Sequence, residues 1–390
     1  MASHDPFGLR SLDIEALRTK RGAKWQTFPA EYAAWVADMD YPIAPPITAA
    51  LQRVLDRDEL GYPAWGMPGD LSPAAELFAP RMSDRFGWSP DPSRVHDLVD
   101  VIQGVRAVIH HRSEPGDGVV LHLPAYHPYL DSIGEARRRL VPVLPADSAD
   151  AGHRFDYDAL ERRLEAEGAR IWILCHPHNP LGHVFDRDEL QRISAIAERH
   201  RLTVLSDEIH ADLNMPGHRH VPFASLGEDA AARTVTVTST SKAFNLAGLR
   251  WADLHAGCEI THEELAALPG HYLGAPNLMA VTAAVAAWND GGPWLDAVVE
   301  LLDENRRALD DLLTEHLPGA IYRPPAATYL AWVDCRELGV GSDPHRVFRS
   351  RGVELSPGPQ FGPPGAGHVR INFATSPDIL DATVAAMAGH

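Results

Sequence analysis

Four short apolar runs, at residues 119–123, 171–175, 202–206 and 234–237, constrain the fold of this chain more than any other feature. Each has the length of a strand, is rich in β-branched or large aliphatic residues, and carries no acidic or lysine side chain. Strands of this kind belong in a sheet that is covered on both faces. Helical stretches fall between them, at 157–167 and 189–200. The second is amphipathic, with Leu190, Ile193, Ile196 and Ala197 at helical spacing. The alternation predicts an α/β fold built on a mainly parallel sheet. Ligand sites in such sheets form beyond the carboxyl ends of the strands. Tyr126, Asn179, Asp207, Ser239 and Lys242 all fall at those ends.

The fourth run leads directly into Ser239-Thr240-Ser241-Lys242-Ala243-Phe244-Asn245, with Arg250 a few residues on. Ser239 and Ser241 can donate to phosphate oxygens, and Arg250 offers a planar fork of donors for the same group. The chain has 35 basic residues, yet only Lys20, Lys24 and Lys242 are lysines. A lysine at an apolar strand end is thus a candidate for amine chemistry, since an uncharged amine forms a Schiff base with an aldehyde; a solvated lysine in a Ser/Thr-rich loop is the alternative reading of this stretch.

The totals exclude several function classes. A formal net charge of −18 opposes a general nucleic-acid or anionic-membrane surface. Cys175, Cys258 and Cys335 are widely spaced and form no C-x-x-C pair, so neither a disulfide framework nor a zinc ribbon is expected. His176 with His178, and His218 with His220, lack further ligands at metal spacing. His262-Glu263-Glu264 lacks the second histidine of a zincin helix, so no metal is expected. The N-terminus shows no secretory pattern, and the apolar run at 278–288 is shorter than the ~20 residues of a bilayer span. A cytoplasmic protein with no membrane partner is expected. Residues 1–45 read as an arm, 46–290 as a large domain, and 291–390 as a smaller α/β domain that the arm joins.

Five stretches together carry a resemblance: Trp35-Val36-Ala37-Asp38-Met39-Asp40, Cys175-His176-Pro177-His178-Asn179-Pro180, Asp207-Glu208-Ile209-His210, Ser241-Lys242-Ala243-Phe244-Asn245 and Ala327-Thr328-Tyr329-Leu330. Over nearly its whole length the chain resembles the fold-type I enzymes dependent on pyridoxal phosphate, in the class I/II aminotransferase superfamily. Within it, the resemblance is to the cystathionine β-lyase group typified by MalY and PatB.

That resemblance implies a seven-stranded, mainly parallel sheet in the large domain. It implies that Lys242 carries pyridoxal phosphate, that Asp207 pairs with the ring nitrogen, and that Asn179 meets the ring hydroxyl. Tyr126 would stack on the ring, and His210 would also lie at the cofactor. The phosphate would be held by the N–H groups of Gly104 and Val105, at a helix start, with Ser239, Ser241 and Arg250. Arg370 would clamp the substrate carboxylate, helped by Asn179 and the N–H of Ala37. Tyr62 would reach the phosphate of a neighbouring subunit in a homodimer. The implied reaction is carbon–sulfur β-elimination on cystathionine or a cysteine S-conjugate. An aminotransferase or decarboxylating outcome on a specialised amino acid is the alternative, and a regulatory role on the same fold is a third.

Overall fold

The computed structural model describes residues 5–65, 70–146, 155–269 and 272–390. Seven strands make the large sheet: β1 (Val95–Leu98), β2 (Gly118–His122), β3 (Arg139–Val143), β4 (Ala169–Cys175), β5 (Thr203–Asp207), β6 (Thr234–Thr238) and β7 (Ala252–Ala256). Their spatial order is β1-β7-β6-β5-β4-β2-β3. Strands β2 to β6 pair parallel, whereas β7 runs antiparallel to both β6 and β1. The sheet is therefore mixed, with β4, β5 and β6 side by side. In register, Cys175 faces Asp207 and Asp207 faces Val237. The three strand ends that hold Asn179, Asp207 and Lys242 in sequence are neighbours in space.

Among the helices, those that bear on the site and its packing are α1 (Pro45–Asp56), α2 (Val101–Arg112), α3 (His127–Glu135), α4 (Arg187–Arg199), α5 (Thr240–Ala243), α6 (Leu278–Asp290), α7 (Gly292–His316) and α8 (Pro377–Ala388). Side chains of β4 alternate between the two covering layers. Ile171 and Ile173 pack with Val105, Val108 and Ile109 of α2, while Trp172 and Leu174 pack with Leu190, Ile193 and Ile196 of α4. Burying each such side chain contributes about 1.5–3 kcal/mol. Double-sided burial is why these strands read as continuous apolar runs.

Helix α2 begins at Val101, three residues before the glycine expected to open it. The Asp100 carboxylate caps it by accepting the Gln103 N–H at 2.8 Å. Gly104 serves packing instead: a Cβ there would lie 2.7 Å from Leu98 Cδ1 and 3.2 Å from Val237 Cγ1. Its bare backbone lets α2 lie close on the sheet.

A second sheet joins β8 (Ile321–Tyr322), β9 (Leu330–Asp334), β10 (Ser356–Pro357) and β11 (His368–Asn372) in the order β10-β11-β9-β8, all antiparallel. Leu301, Leu309, Leu380 and Val384, from α7 and α8, share a core with Val333 and Ile371 of this sheet. The N-terminal arm is bonded to the same region. Its strand Tyr32–Ala33 pairs with Val353–Glu354, and Asn372 Nδ2 donates to the carbonyls of Val36 and Asp38 at 2.7 and 2.6 Å. Residues 35–40 are thereby held across the open ends of β4, β5 and β6.

Candidate active site

Where the arm crosses those strand ends lies a cavity of about 680 Å³. Lys242, Asp207, Asn179, Tyr126, His210, Ser241, Arg250, Arg370 and Ala37 all line it. Segments hundreds of residues apart in sequence thus converge on one space.

Lys242 sits in α5, a short helix that the Ser239 hydroxyl caps by accepting the Ser241 N–H at 3.0 Å. Its Nζ donates to the Ala37 carbonyl at 2.9 Å, and the Tyr329 hydroxyl donates to that same oxygen at 2.8 Å. Removal from water lowers the amine below the ordinary lysine range, opposed by the nearby charges of Asp38 and Asp207. A lowered value enlarges the neutral, nucleophilic fraction at a given pH.

Asp207 is buried, and burial pushes its carboxyl up to about 6 despite two donors. Those donors are the Tyr129 hydroxyl, 2.5 Å from Oδ2, and the Ile209 N–H, 3.1 Å from Oδ1. A cationic partner in the cavity would favour the ionised form. His210 is buried with Nδ1 unpartnered among the described residues. Desolvation, then the charges of Lys242 and Arg370, drives its imidazole down to about 3, so it is neutral.

Arg370, on β11, is the buried cation of the site. Its guanidinium donates to Asn179 Oδ1 at 3.0 Å, to the Trp35 carbonyl at 2.8 Å and to the Ser356 hydroxyl at 3.1 Å. All three acceptors are neutral, Nε has no partner among the described residues, and Phe361 lies under the guanidinium at 4.9 Å. Desolvation pulls its value down to about 10, still charged at neutral pH. A buried guanidinium lacking a carboxylate is costly unless an anion joins it.

The start of α2 also faces the cavity. Val101 and Ile102 occupy the first two helical positions, where N–H groups have no acceptor within the helix. Both line the cavity, as does Ser241. Arg250 stands at the mouth with its side chain 65% exposed, tethered to Asp100 Oδ2 at 2.9 Å.

The expected anion-binding pair Gly104 and Val105 is corrected by this geometry. Gly104 is the fourth helical residue, past the first turn, and neither residue lines the cavity. Ser239 stands behind the wall: its hydroxyl donates to the Trp251 carbonyl at 2.5 Å and lies 2.7 Å from Ser241 Oγ. It orients Ser241 rather than facing the cavity. Tyr62 is fully exposed and lies outside the cavity of the single chain.

The chain matches the family model described as aminotransferase class I and II over residues 101–387. That span covers most of its length. The chain belongs to the aminotransferase class I and II family. Among relatives in this family, cystathionine beta-lyase PatB of Bacillus subtilis is 34% identical, covering 88% of each chain. Cystathionine beta-lyase of Corynebacterium glutamicum is 31% identical over 96% of this chain and 97% of that protein. The pyridoxal-phosphate-bound carbon–sulfur lyase of Staphylococcus hominis superposes with a TM-score of 0.87 at 26% identity, covering 95% and 96% of the two chains.

Several residues of this family site escaped sequence reasoning. The sequence assigns no role to Tyr129 or to Tyr329, although Tyr329 lies in a stretch that carries the resemblance. Glu208, beside Asp207 in sequence, turns away from the cavity: it accepts from Ser206 Oγ and the Phe223 N–H, and its Oε2 is 2.8 Å from His220 Nε2. The His220 ring lies 4.4 Å from that of His176, so the ends of β4 and β5 are tied together behind the site. Asn245 also has a positioning role. At φ 58° it bonds both the N–H and the carbonyl of Met39, each at 2.9 Å. A φ above zero in a non-glycine residue was the one backbone signal available, and sequence does not display it.

Proposed function

We propose that the protein is a pyridoxal-phosphate-dependent carbon–sulfur β-lyase that acts on cystathionine or a related cysteine S-conjugate. The residues fit that cofactor. Val101 and Ile102, through their N–H groups at the start of α2, would hold the phosphate with Ser241 and Arg250, and buried Asp207 would hold the ring nitrogen. Asn179 and the unpartnered Nδ1 of His210 offer polar contacts to the ring's substituents. Tyr126 supplies a flat face. Pyridoxal phosphate, when bound through Lys242, supplies an electron-withdrawing ring that stabilises negative charge on the substrate carbon bearing the amine.

The protein's own groups do the rest. Arg370 binds the substrate carboxylate, the anion its neutral surroundings lack. The Lys242 amine takes the proton from Cα. A thiolate then leaves Cβ, and hydrolysis of the unsaturated product gives pyruvate and ammonia. The single observation that carries this reading is Arg370: a buried, charged guanidinium with no carboxylate partner among the described residues, in the same cavity as Lys242 and Asp207. Similarity to cystathionine β-lyases over most of the chain supports the lyase outcome over transamination.

Further parts of this reading concern assembly and setting. Tyr62, exposed in the single chain, serves the phosphate of a second subunit in a homodimer. Residues 46–290 act as the cofactor domain, and 291–390 with the arm as the substrate-side domain. Three free, buried cysteines support a reducing, cytoplasmic setting. The test is incubation of purified protein with cystathionine and with simple cysteine S-conjugates, with and without a keto acid. Pyruvate, ammonia and thiol formed without keto acid support the lyase; product formed only with it supports an aminotransferase. A stable, fully active monomer in sedimentation would refute the role of Tyr62.

A further inference from the structure

Asp207 offers two oxygens at the end of β5, and the protein already uses one lone pair on each. The Ile209 N–H takes Oδ1, and the Tyr129 hydroxyl takes Oδ2 at 2.5 Å. Tyr129 is in the first turn of α3, fully buried, with its ring edge-on to Tyr126 at 5.6 Å. Burial pushes its hydroxyl well above the ordinary tyrosine range, so it stays a donor. The other ionisable groups around Asp207 are Cys175 from β4, Lys242 from α5, Glu208 next in the chain and Tyr126 just before α3. Burial drives the Cys175 thiol up to about 12, which keeps it neutral. The Glu208 carboxylate is turned toward Ser206, Phe223 and His220. Tyr129 is therefore the one side chain on this list that donates a hydrogen bond to Asp207.

We propose that Tyr129 is a positioning residue that sets the basicity of Asp207, and through it how firmly the protein holds a protonated pyridoxal-phosphate ring nitrogen. The inference rests on the cofactor reading above. A donor on a carboxylate oxygen favours the ionised form, and only the ionised form attracts a pyridinium N–H. Tyr129 thus keeps Asp207 charged to a lower pH than burial alone would allow. The bond also fixes the carboxylate plane, leaving one lone pair on each oxygen directed elsewhere. A phenylalanine at this position would fill the same volume and lose only the donor.

The experiment compares two ligands on the full-length protein stripped of cofactor. One is pyridoxal phosphate, and the other is its analogue with carbon in place of the ring nitrogen. The ratio of their dissociation constants, followed from acid to neutral pH, reads the Asp207–nitrogen pairing alone. Wild-type protein prefers pyridoxal phosphate and loses that preference as acid neutralises Asp207. In Tyr129→Phe the midpoint of the loss moves up by about one pH unit, roughly the effect of one donated bond. Affinity for the carbon analogue stays unchanged. Fluorination of the Tyr129 ring, which strengthens the donor at nearly constant shape, moves the midpoint the other way. Asp207→Asn shows no such pH-dependent preference.

An unmoved midpoint, or equal loss of both ligands, overturns the role of Tyr129 and leaves the cofactor reading standing. A wild-type protein indifferent to the two ligands overturns the Asp207 pairing on which both rest.

Discussion

Lys242 and Tyr329 donate to the same atom, the carbonyl oxygen of Ala37, at 2.9 and 2.8 Å. The contact joins the large sheet, the second sheet and the N-terminal arm at one acceptor. The other two lysines reach the same short segment: Lys24 Nζ donates to the Asp38 carbonyl at 3.2 Å and Lys20 Nζ to the Asp40 carbonyl at 3.1 Å. Every lysine of the chain is spent on residues 37–40. Ala37, with the preceding Trp35 and Val36, lines one side of the cavity.

Lys242→Ala removes the amine that would hold pyridoxal phosphate. The purified variant is expected to be colourless after dialysis, to retain no cofactor after borohydride reduction, and to release no pyruvate. Tyr329→Phe removes one donor from the Ala37 carbonyl and leaves Lys242 in place. Loss of a hydrogen bond worth about 1 kcal/mol predicts a yellow protein with kcat reduced several-fold. Absorbance spectra and steady-state kinetics check both.

Arg370→Ala should leave the bound cofactor colour intact and abolish productive substrate binding. Each charge-assisted hydrogen bond to the substrate carboxylate is worth ~1.5–3 kcal/mol, so kcat/KM falls by two orders of magnitude or more. Arg370→Lys should not restore it. A lysine lacks the planar fork that meets Asn179, Trp35 and Ser356 at once while still facing an anion.

The Lys24–Asp40 pair tests the arm. Nζ and Oδ2 are 2.9 Å apart with both side chains almost wholly buried, and Asp40 also accepts from Trp25 Nε1 at 3.0 Å. Lys24→Met strands a buried carboxylate, at a cost of about 3–5 kcal/mol. The denaturant midpoint should fall accordingly. Lys24→Met combined with Asp40→Leu should recover much of the loss.

His122 gives the acid side of the stability curve. It is buried among Phe155, Trp172 and Phe185, and desolvation lowers its imidazole to about 3. The unfolded chain binds the proton near 6.5, the folded one only near 3. Stability is therefore full above 6.5 and is lost progressively as pH falls toward 3. Between neutral pH and pH 5 this site accounts for about 2 kcal/mol. In His122→Phe, urea midpoints measured at the two pH values should converge by that amount.

Much of the fold was legible because β4, β5 and β6 are buried on both faces. Their uninterrupted apolar runs leave few alternatives to a helix-covered sheet. Strands β1, β3 and β7 were harder to see. Pro142 interrupts β3, and β7 alternates Ala252 and Leu254 with Asp253 and His255. Site residues at strand ends were legible by position, and Arg370 only by family resemblance. A glycine at 104 suggests a helix start in the sequence, whereas Asp100 supplies the cap and the helix opens three residues earlier, at Val101. The tyrosine hydroxyls of Tyr129 and Tyr329 were invisible in principle: a buried aromatic reads as packing until its partner is located.

The count of pyruvate molecules released per subunit from a cysteine S-conjugate, with no keto acid present, tests the central claim most directly. β-Elimination needs no amino acceptor, so many equivalents of pyruvate and thiol should accumulate while the yellow colour persists. A single turnover that bleaches the protein and resumes only when keto acid is added would contradict the lyase account.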